Sequence, residues 1–200
     1  MIKNKRKADE REARKHLIMD GALSVFHDQG IDGTTMEQIA NKAGFGTASL
    51  YYYFPKKEDV FSAIMVKGWE QLWASCQTPI ESNASPKEKF LSILNIIANH
   101  ILNDRNLYSF LFTAPQHSIN FETEAWKKYQ GKLYSTLEQL LNEGMKIGEF
   151  PKVESHLLFK AIGGSFHGIL LMGNEQQTLS RQDIEDLFSR LLSTTGSPHE

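Results

Sequence analysis

The sequence has little of what secreted, membrane or metal-dependent proteins rely on. Its 200 residues include one cysteine, Cys76, which excludes an internal disulfide framework and suits a reducing cytoplasm. No run approaches the ~18 apolar residues of a membrane span. No apolar stretch follows the basic start, so neither a signal peptide nor a membrane partner is expected. The alternation that marks strands is nearly absent, and no internal repeat or low-complexity linker stands out. There is no glycine-rich phosphate loop, and the seven histidines show no metal-ligand spacing such as H-E-x-x-H. No cofactor, metal or catalytic residue is therefore expected, and a helical enzyme is only a minor alternative.

What is present is helical periodicity with an ordinary globular balance, 40% hydrophobic and 23% charged residues. The near-neutral net charge of -2 hides an asymmetry. Residues 1–15 carry seven cations (Lys3, Lys5, Arg6, Lys7, Arg11, Arg14, Lys15) against three acids, a basic N-terminal arm suited to a polyanion or simply a solvated tail.

The expected architecture is all-α with about nine helices. A first helix from about Asp9 to Gln29 carries Ile18, Ala22 and Phe26 on its inner stripe and stops at Gly30. A second opens at Thr34 or Thr35, either of which makes a capping box, with Glu37 or Gln38 respectively, and it ends at Gly44. A third runs from about Thr47 to Phe54 and stops before Pro55. A fourth starts near Lys57 with Val60, Phe61, Ile64 and Trp69 inward. Residues 77–86 (QTPIESNASP) read as a loop. Ser85-Pro86-Lys87-Glu88 then opens a set of longer helices, over about 86–102, 107–113, 122–146, 153–172 and, capped by Ser180, the last helix. The segment at 107–113 is apolar on all sides and is expected to be buried. The expected domains are 1–68 and 69–200.

Two short helices joined around a glycine suggest a helix-turn-helix over about 35–54. Such a unit needs a small residue at the crossing, here Ala40, and a residue tolerant of positive φ at the turn, here Gly44. It also needs an apolar lining, for which Ile39, Ala43, Phe45, Leu50 and Tyr53 are placed. At 100° per residue Leu50, Tyr53 and Phe54 share the inner face, which leaves Ala48 and Tyr52 outward with Ser49 and Tyr51 beside them.

The stretch from residue 12 to about 65 resembles the DNA-binding domain of the TetR family of bacterial transcriptional regulators. The resemblance lies in Gly30, Thr34-Thr35, Ile39-Ala40, Ala43-Gly44, Leu50-Tyr51, Tyr53-Phe54-Pro55 and Lys57-Glu58. It implies that the third helix enters the major groove of a palindromic double-stranded operator. The candidate DNA contacts are Thr34, Thr35, Gly46, Thr47, Ala48, Ser49, Tyr51, Tyr52, Lys56 and Lys57, of which the resemblance itself implies Thr35, Thr47, Tyr51, Tyr52 and Lys57. Where family members often have Val-Ser-Lys-Gly, this chain has Phe45-Gly46-Thr47-Ala48, with a weaker cap and no lysine.

The resemblance also implies a homodimer built through the last two helices. Gly164, Gly168, Ile184, Leu187, Phe188 and Leu191 are the candidate interface, although both stripes can instead face their own core. A small hydrophobic effector is expected in the larger domain. Its candidate lining is Phe90, Leu94, Ile97, Ile101, Tyr108, Phe112, Phe121, Trp126, Tyr129, Phe166 and Leu170, with His100, His117 and His167 as polar candidates. The function expected is a ligand-responsive transcriptional regulator, more often a repressor than an activator. An interaction protein that uses the three-helix fold without DNA is the other alternative.

Overall fold

The computed structural model describes residues 2–114, 125–171 and 181–192. Within them the chain forms ten helices and no strand: α1 (Ile2–Gln29), α2 (Met36–Ala43), α3 (Thr47–Tyr53), α4 (Lys57–Ser75), α5 (Gln77–Glu81), α6 (Pro86–Asn103), α7 (Arg105–Thr113), α8 (Ala125–Lys146), α9 (Ser155–Leu171) and α10 (Arg181–Leu191). The nine expected helices are all there. The tenth, α5, is one short turn inside the segment read as a loop, and it holds Pro79 in its first turn, where a missing N–H is tolerated.

Two boundaries differ for local reasons. The basic arm is helical from Ile2, because Lys, Arg, Ala and Glu are good helix formers and no Gly or Pro interrupts them. Ion pairs a turn apart, Arg14–Glu10 at 2.9 Å and Lys15–Glu12 at 3.1 Å, add to it. At α9 the Glu154 carboxylate accepts from the Leu157 N–H (2.6 Å), so the helix starts just after Glu154. The α6 start is as expected: Ser85 accepts from Glu88 N–H, the Glu88 carboxylate accepts from Ser85 N–H, and Pro86 follows. The cap expected at Ser180 lies outside the described residues.

The chain divides into two compact units, Met1–Gly68 with Asn106–Trp126, and Trp69–Arg105 with Lys127–Glu200. The sequence expectation put all of 69–200 together; α7 is the reason it does not hold as one piece. The Phe110 ring on α7 stacks on Phe26 of α1 (5.9 Å between centroids, 8° between planes) and stands edge-on to Phe61 of α4 (5.4 Å). Leu111 covers Gly68, where a Cβ would collide with it. Of α7, Tyr108, Phe110 and Leu111 are buried, while Leu107 and Phe112 are only partly covered.

In the first unit Ile18, Ala22 and Phe26 are buried as the stripe requires, joined by Ile39, Ala40, Leu50, Phe54, Val60, Phe61 and Ile64. The tightest approach is at Gly21. A Cβ there would lie 2.9 Å from the backbone and Cβ of Ala43, so α1 and α2 meet at a point with room for no side chain. In the second unit α6 is central and touches α5, α9 and α10. Phe90 is edge-on to Phe150 (5.6 Å), Trp69 to Tyr134 (5.8 Å), and Phe166 meets Phe188 (5.6 Å). Trp69, expected to face inward on the fourth helix, is buried in the second unit.

Cys76 lies wholly buried in this second unit, and burial pushes its thiol pKa up to about 12. A disulfide-exchange reagent at pH 8 should therefore leave the native thiol untouched and label it only on unfolding; rapid native labelling would contradict the burial. Gly21→Ala should destabilise by about 1–3 kcal/mol, since the backbone of α2 cannot yield. Gly131→Ala, on an exposed stretch of α8 with nothing within 4 Å, should stabilise by roughly 1 kcal/mol. Urea midpoints of the two variants should move in opposite directions.

Candidate nucleic-acid interface

The start of α2 is settled by two hydroxyls with different jobs. Thr35 is the cap: Gln38 N–H donates to its Oγ1 (3.2 Å), and the Thr35 N–H donates to Gln38 Oε1 (2.8 Å). The Gln38 amide also donates to Gln29 Oε1 (2.9 Å), tying α2 to the end of α1. Thr34 is buried, and its hydroxyl donates to Gly30 O at 2.6 Å. The expectation that Thr34 offers a hydroxyl to DNA is thus corrected. Of the two threonines only Thr35 is exposed.

Helix α2 ends at Gly44 in the left-handed region (φ 73°), with Phe45 N–H on Ala40 O at 2.9 Å. Gly46 then caps α3 with no side-chain bond. Leu50 is fully buried and Phe54 nearly so, in an extended conformation that suits a residue before proline. Gly46, Ala48 and Ser49 are exposed and Thr47 is half-buried. Tyr51 is 50% exposed and Tyr52 72%. These two phenols stand in water on a helix whose other large side chains hold it to α1 and α2.

Tyr53 was expected in the core and is only half-buried. Its ring stands edge-on to Phe45 (6.2 Å) and to Tyr52 (5.2 Å), and its hydroxyl helps raise the pKa of Arg14. Arg11 lies over the Tyr52 ring at 5.7 Å. Lys7, Glu10, Arg11, Arg14, Tyr52 and Tyr53 line a cleft of about 390 Å³ between α1 and α3. Glu10 and then Tyr53 hold the Arg14 pKa above its ordinary value, so the cation persists at every working pH. The sequence reading missed this junction. Its signal was available, because Lys7, Arg11 and Arg14 fall at i, i+4 and i+7 and share one face of α1.

Lys56 is exposed, whereas Lys57 is not the loose cation expected of it. Its ammonium donates to Ile31 O (2.7 Å), Thr34 O (2.8 Å) and Asp32 O (3.1 Å). Those carbonyls occupy all three of its donors, so a phosphate contact at Lys57 would replace one of these bonds.

The candidates for the effector lining do not fall in one unit. Phe90, Leu94, Ile97, Ile101 and Phe166 are buried in the second, and Tyr129 is half-buried in the same unit. The Tyr129 hydroxyl donates to Glu70 (2.8 Å), which raises its pKa. Tyr108, Phe112 and Trp126 cluster with the first unit. Phe121, His117 and the side chain of Leu170 lie outside the described residues. Phe90 and Phe166 are committed to ring contacts with Phe150 and Phe188. His100 bonds Ser75 Oγ (2.9 Å), and partial burial lowers its pKa. His167 is half-buried.

Of the candidate interface, Gly164 is exposed and Gly168 half-exposed, and a Cβ at either would meet nothing. Leu187 and Leu191 are exposed. Phe188 is buried against Phe166 of its own chain, a correction that follows from the 100° step separating it from Leu187. The side chain of Ile184 lies outside the described residues.

Residues 18–64 match the family model for bacterial regulatory proteins of the tetR family. The match covers the same α1–α4 segment whose geometry was just described. Residues 18–64 are thus a TetR-type DNA-binding domain. Over 165 residues it is 26% identical to the HTH-type transcriptional repressor KstR2 of Mycobacterium tuberculosis, covering 78% of this chain and 80% of that one. Over 133 residues it is 25% identical to the fatty acid metabolism regulator protein of Bacillus subtilis, covering 66% and 68%. Its fold matches the crystal structure of AibR in complex with isovaleryl coenzyme A and operator DNA, with a TM-score of 0.78 at 20% identity, over 90% of this chain and 97% of that one. The protein is accordingly a DNA-binding regulator of transcription. Among the described residues no helix is long and apolar enough to cross a membrane, and no group of His, Cys, Asp and Glu could hold a metal ion.

Replacing Thr35 by alanine removes the cap without touching the buried loop beneath it. It should cost about 1 kcal/mol of stability, read by urea denaturation, whereas a neutral outcome would mean that the capping box is not formed in solution.

Proposed function

We propose that the chain is a homodimeric repressor whose first unit reads a palindromic operator and whose second unit receives a small apolar effector. The observation that carries the DNA reading is the exposed Tyr51-Tyr52 pair, on a helix whose Leu50 is wholly buried. A helix held from beneath with two phenols in solvent has the form of a major-groove reader. Thr35, Gly46, Thr47, Ala48 and Ser49 surround the pair as the positions facing DNA, and Lys56 with the basic face of α1 supplies charge to the phosphates.

One recognition helix reads too few bases for a specific site, and regulators of this family act as dimers. The supporting features are exposed Leu157 (65%) and Gly164, seven residues apart on α9, and exposed Leu187 and Leu191 (56%), four apart on α10. Two copies joined there would present their heads to half-sites about 34 Å apart or a multiple of that.

The effector reading rests on the apolar and aromatic composition of α6–α9 and on what the relatives bind. AibR is described with isovaleryl coenzyme A and KstR2 as a ketosteroid regulator, which favours an acyl or polycyclic apolar group here. Such a ligand changes DNA binding only if it prefers one conformation of the dimer. The chain passes from α6 of the second unit directly into α7 of the first at Asp104, and Phe110 of α7 lies against both Phe26 and Phe61. No catalytic role is assigned, and the cytoplasm is the compartment proposed.

Selection of random duplexes by the purified protein, followed by titration on the winning sequence, tests the reading. A palindromic sequence should emerge, bound with an affinity that falls steeply with salt. Tyr52→Ala should weaken that duplex at least tenfold while leaving binding to random DNA nearly unchanged. Equal losses on both would remove Tyr52 from base recognition.

A further inference from the structure

We propose that Arg11 is a positioning residue for base reading: from α1 its guanidinium holds the ring of Tyr52 in place before DNA arrives, and so contributes to the selectivity of binding as well as to its strength. The proposal rests on the DNA-reading function proposed above and names what orients the side chain that carries it.

Tyr52 is 72% exposed. An exposed side chain changes rotamer within nanoseconds, and a reader that has to be frozen on binding loses affinity in the process. Two contacts oppose this at Tyr52. The ring of Tyr53 stands edge-on to it at 5.2 Å, with 88° between planes. That ring belongs to the same helix and gives Tyr52 no outside reference. The Arg11 guanidinium carbon lies over the Tyr52 ring, 5.7 Å from its centroid, and it comes from α1. That helix is anchored about two turns further on, where Ile18 and Ala22 are fully buried and Gly21 lies against Ala43 of α2. Tyr52 is thus referred to the core of its unit while its own surface stays open.

The sequence of α1 explains why this guanidinium goes to a ring. The positions three and four residues from Arg11 are Lys7, Ala8, Arg14 and Lys15, and none of them is acidic. Those are the positions from which an acid on the same helix would pair with it. The nearby carboxylates are engaged with other cations, Glu10 with Arg14 at 2.9 Å and Glu12 with Lys15 at 3.1 Å. Arg11 is left without a carboxylate on its own helix, and the face of Tyr52 takes that place.

A planar cation suits a ring face. The contact spends none of the five N–H donors of the guanidinium, so a phosphate can still be bound through them. The two duties act on different quantities. Charge on α1 strengthens binding to every duplex, whereas the orientation of Tyr52 matters only where its ring meets the right bases. Lys7 is exposed and lines the same cleft, which makes it the control for charge.

The test uses the full chain, a 30-base-pair duplex enriched by the wild-type protein from a random library, and a scrambled duplex of the same composition. The readout is the ratio of the two dissociation constants. Arg11→Gln exchanges one good helix former for another at an exposed position, so the fold is retained. It should lower the ratio about threefold to fivefold, the size of an exposed cation–π contact. In a Tyr52→Ala background the same substitution should leave the ratio unchanged, because the ring it acts on is gone. Lys7→Gln should weaken both duplexes alike and keep the wild-type ratio. The proposal is overturned by a wild-type ratio in Arg11→Gln, by an equal loss in the Tyr52→Ala background, or by the same loss in Lys7→Gln. In the free protein the Arg11 δ-methylene protons should be shifted upfield by the Tyr52 ring and return downfield in Tyr52→Ala. Protons that do not move overturn the proposal and leave the DNA reading intact. Failure of the wild-type chain to enrich any duplex is seen before a variant is made, and it overturns the DNA reading together with this role.

Discussion

Leu50 is the single large side chain of α3 that is completely buried, and α3 has only seven residues. A helix that short has no stability of its own in water. Its direction is borrowed from the surface Leu50 enters, and the neighbours supply the rest: the left-handed Gly44 before it, the extended Phe54 after it, and the ring of Phe45 against Tyr53. The outer positions are then free of packing duty. In the proposed function Tyr51 and Tyr52 serve recognition while Leu50 meets the folding requirement, and an operator would not have to order the helix that reads it.

The fastening of α2 follows the same division of labour, with polar groups. Adjacent threonines take opposite roles because the chain turns between them, Thr34 inward to Gly30 and Thr35 outward to the cap. Much of the surrounding loop is closed by hydrogen bonds from residues of α2 and α4, so the loop is a joint among three helices and not merely a connection between two.

Much of this was legible in the sequence because the signals are local. Capping residues, the glycine at the turn, the proline after α3 and the four-residue recurrence of Ile18, Ala22 and Phe26 all act within a few positions, and the helices appear where those signals stand. The misreadings concern partners far apart in sequence. Lys57 binds carbonyls more than twenty residues away, Tyr53 meets a cation on α1, and α7 joins Phe26 and Phe61 although it follows α6. No periodicity encodes such pairings. Thr34 and Thr35 formed equally good boxes on paper, and only the position of Gly30 O separated them. The apolar stripe of α10 was ambiguous in a different way: Leu187 and Phe188 are adjacent, so a single helix can spend one on its own core and present the other outward.

The 28 residues of α1 form one uninterrupted rod. It carries Phe26, in contact with Phe110, near one end, and Arg11, over the ring of Tyr52, toward the other. At 1.5 Å per residue the two points are about 22 Å apart. Such a rod works as a lever: a tilt of about 5° about Phe26 would carry Arg11 through about 2 Å, by the same rise per residue. A displacement too small to unpack an aromatic cluster would then be large enough to break a hydrogen bond at the Arg11 end.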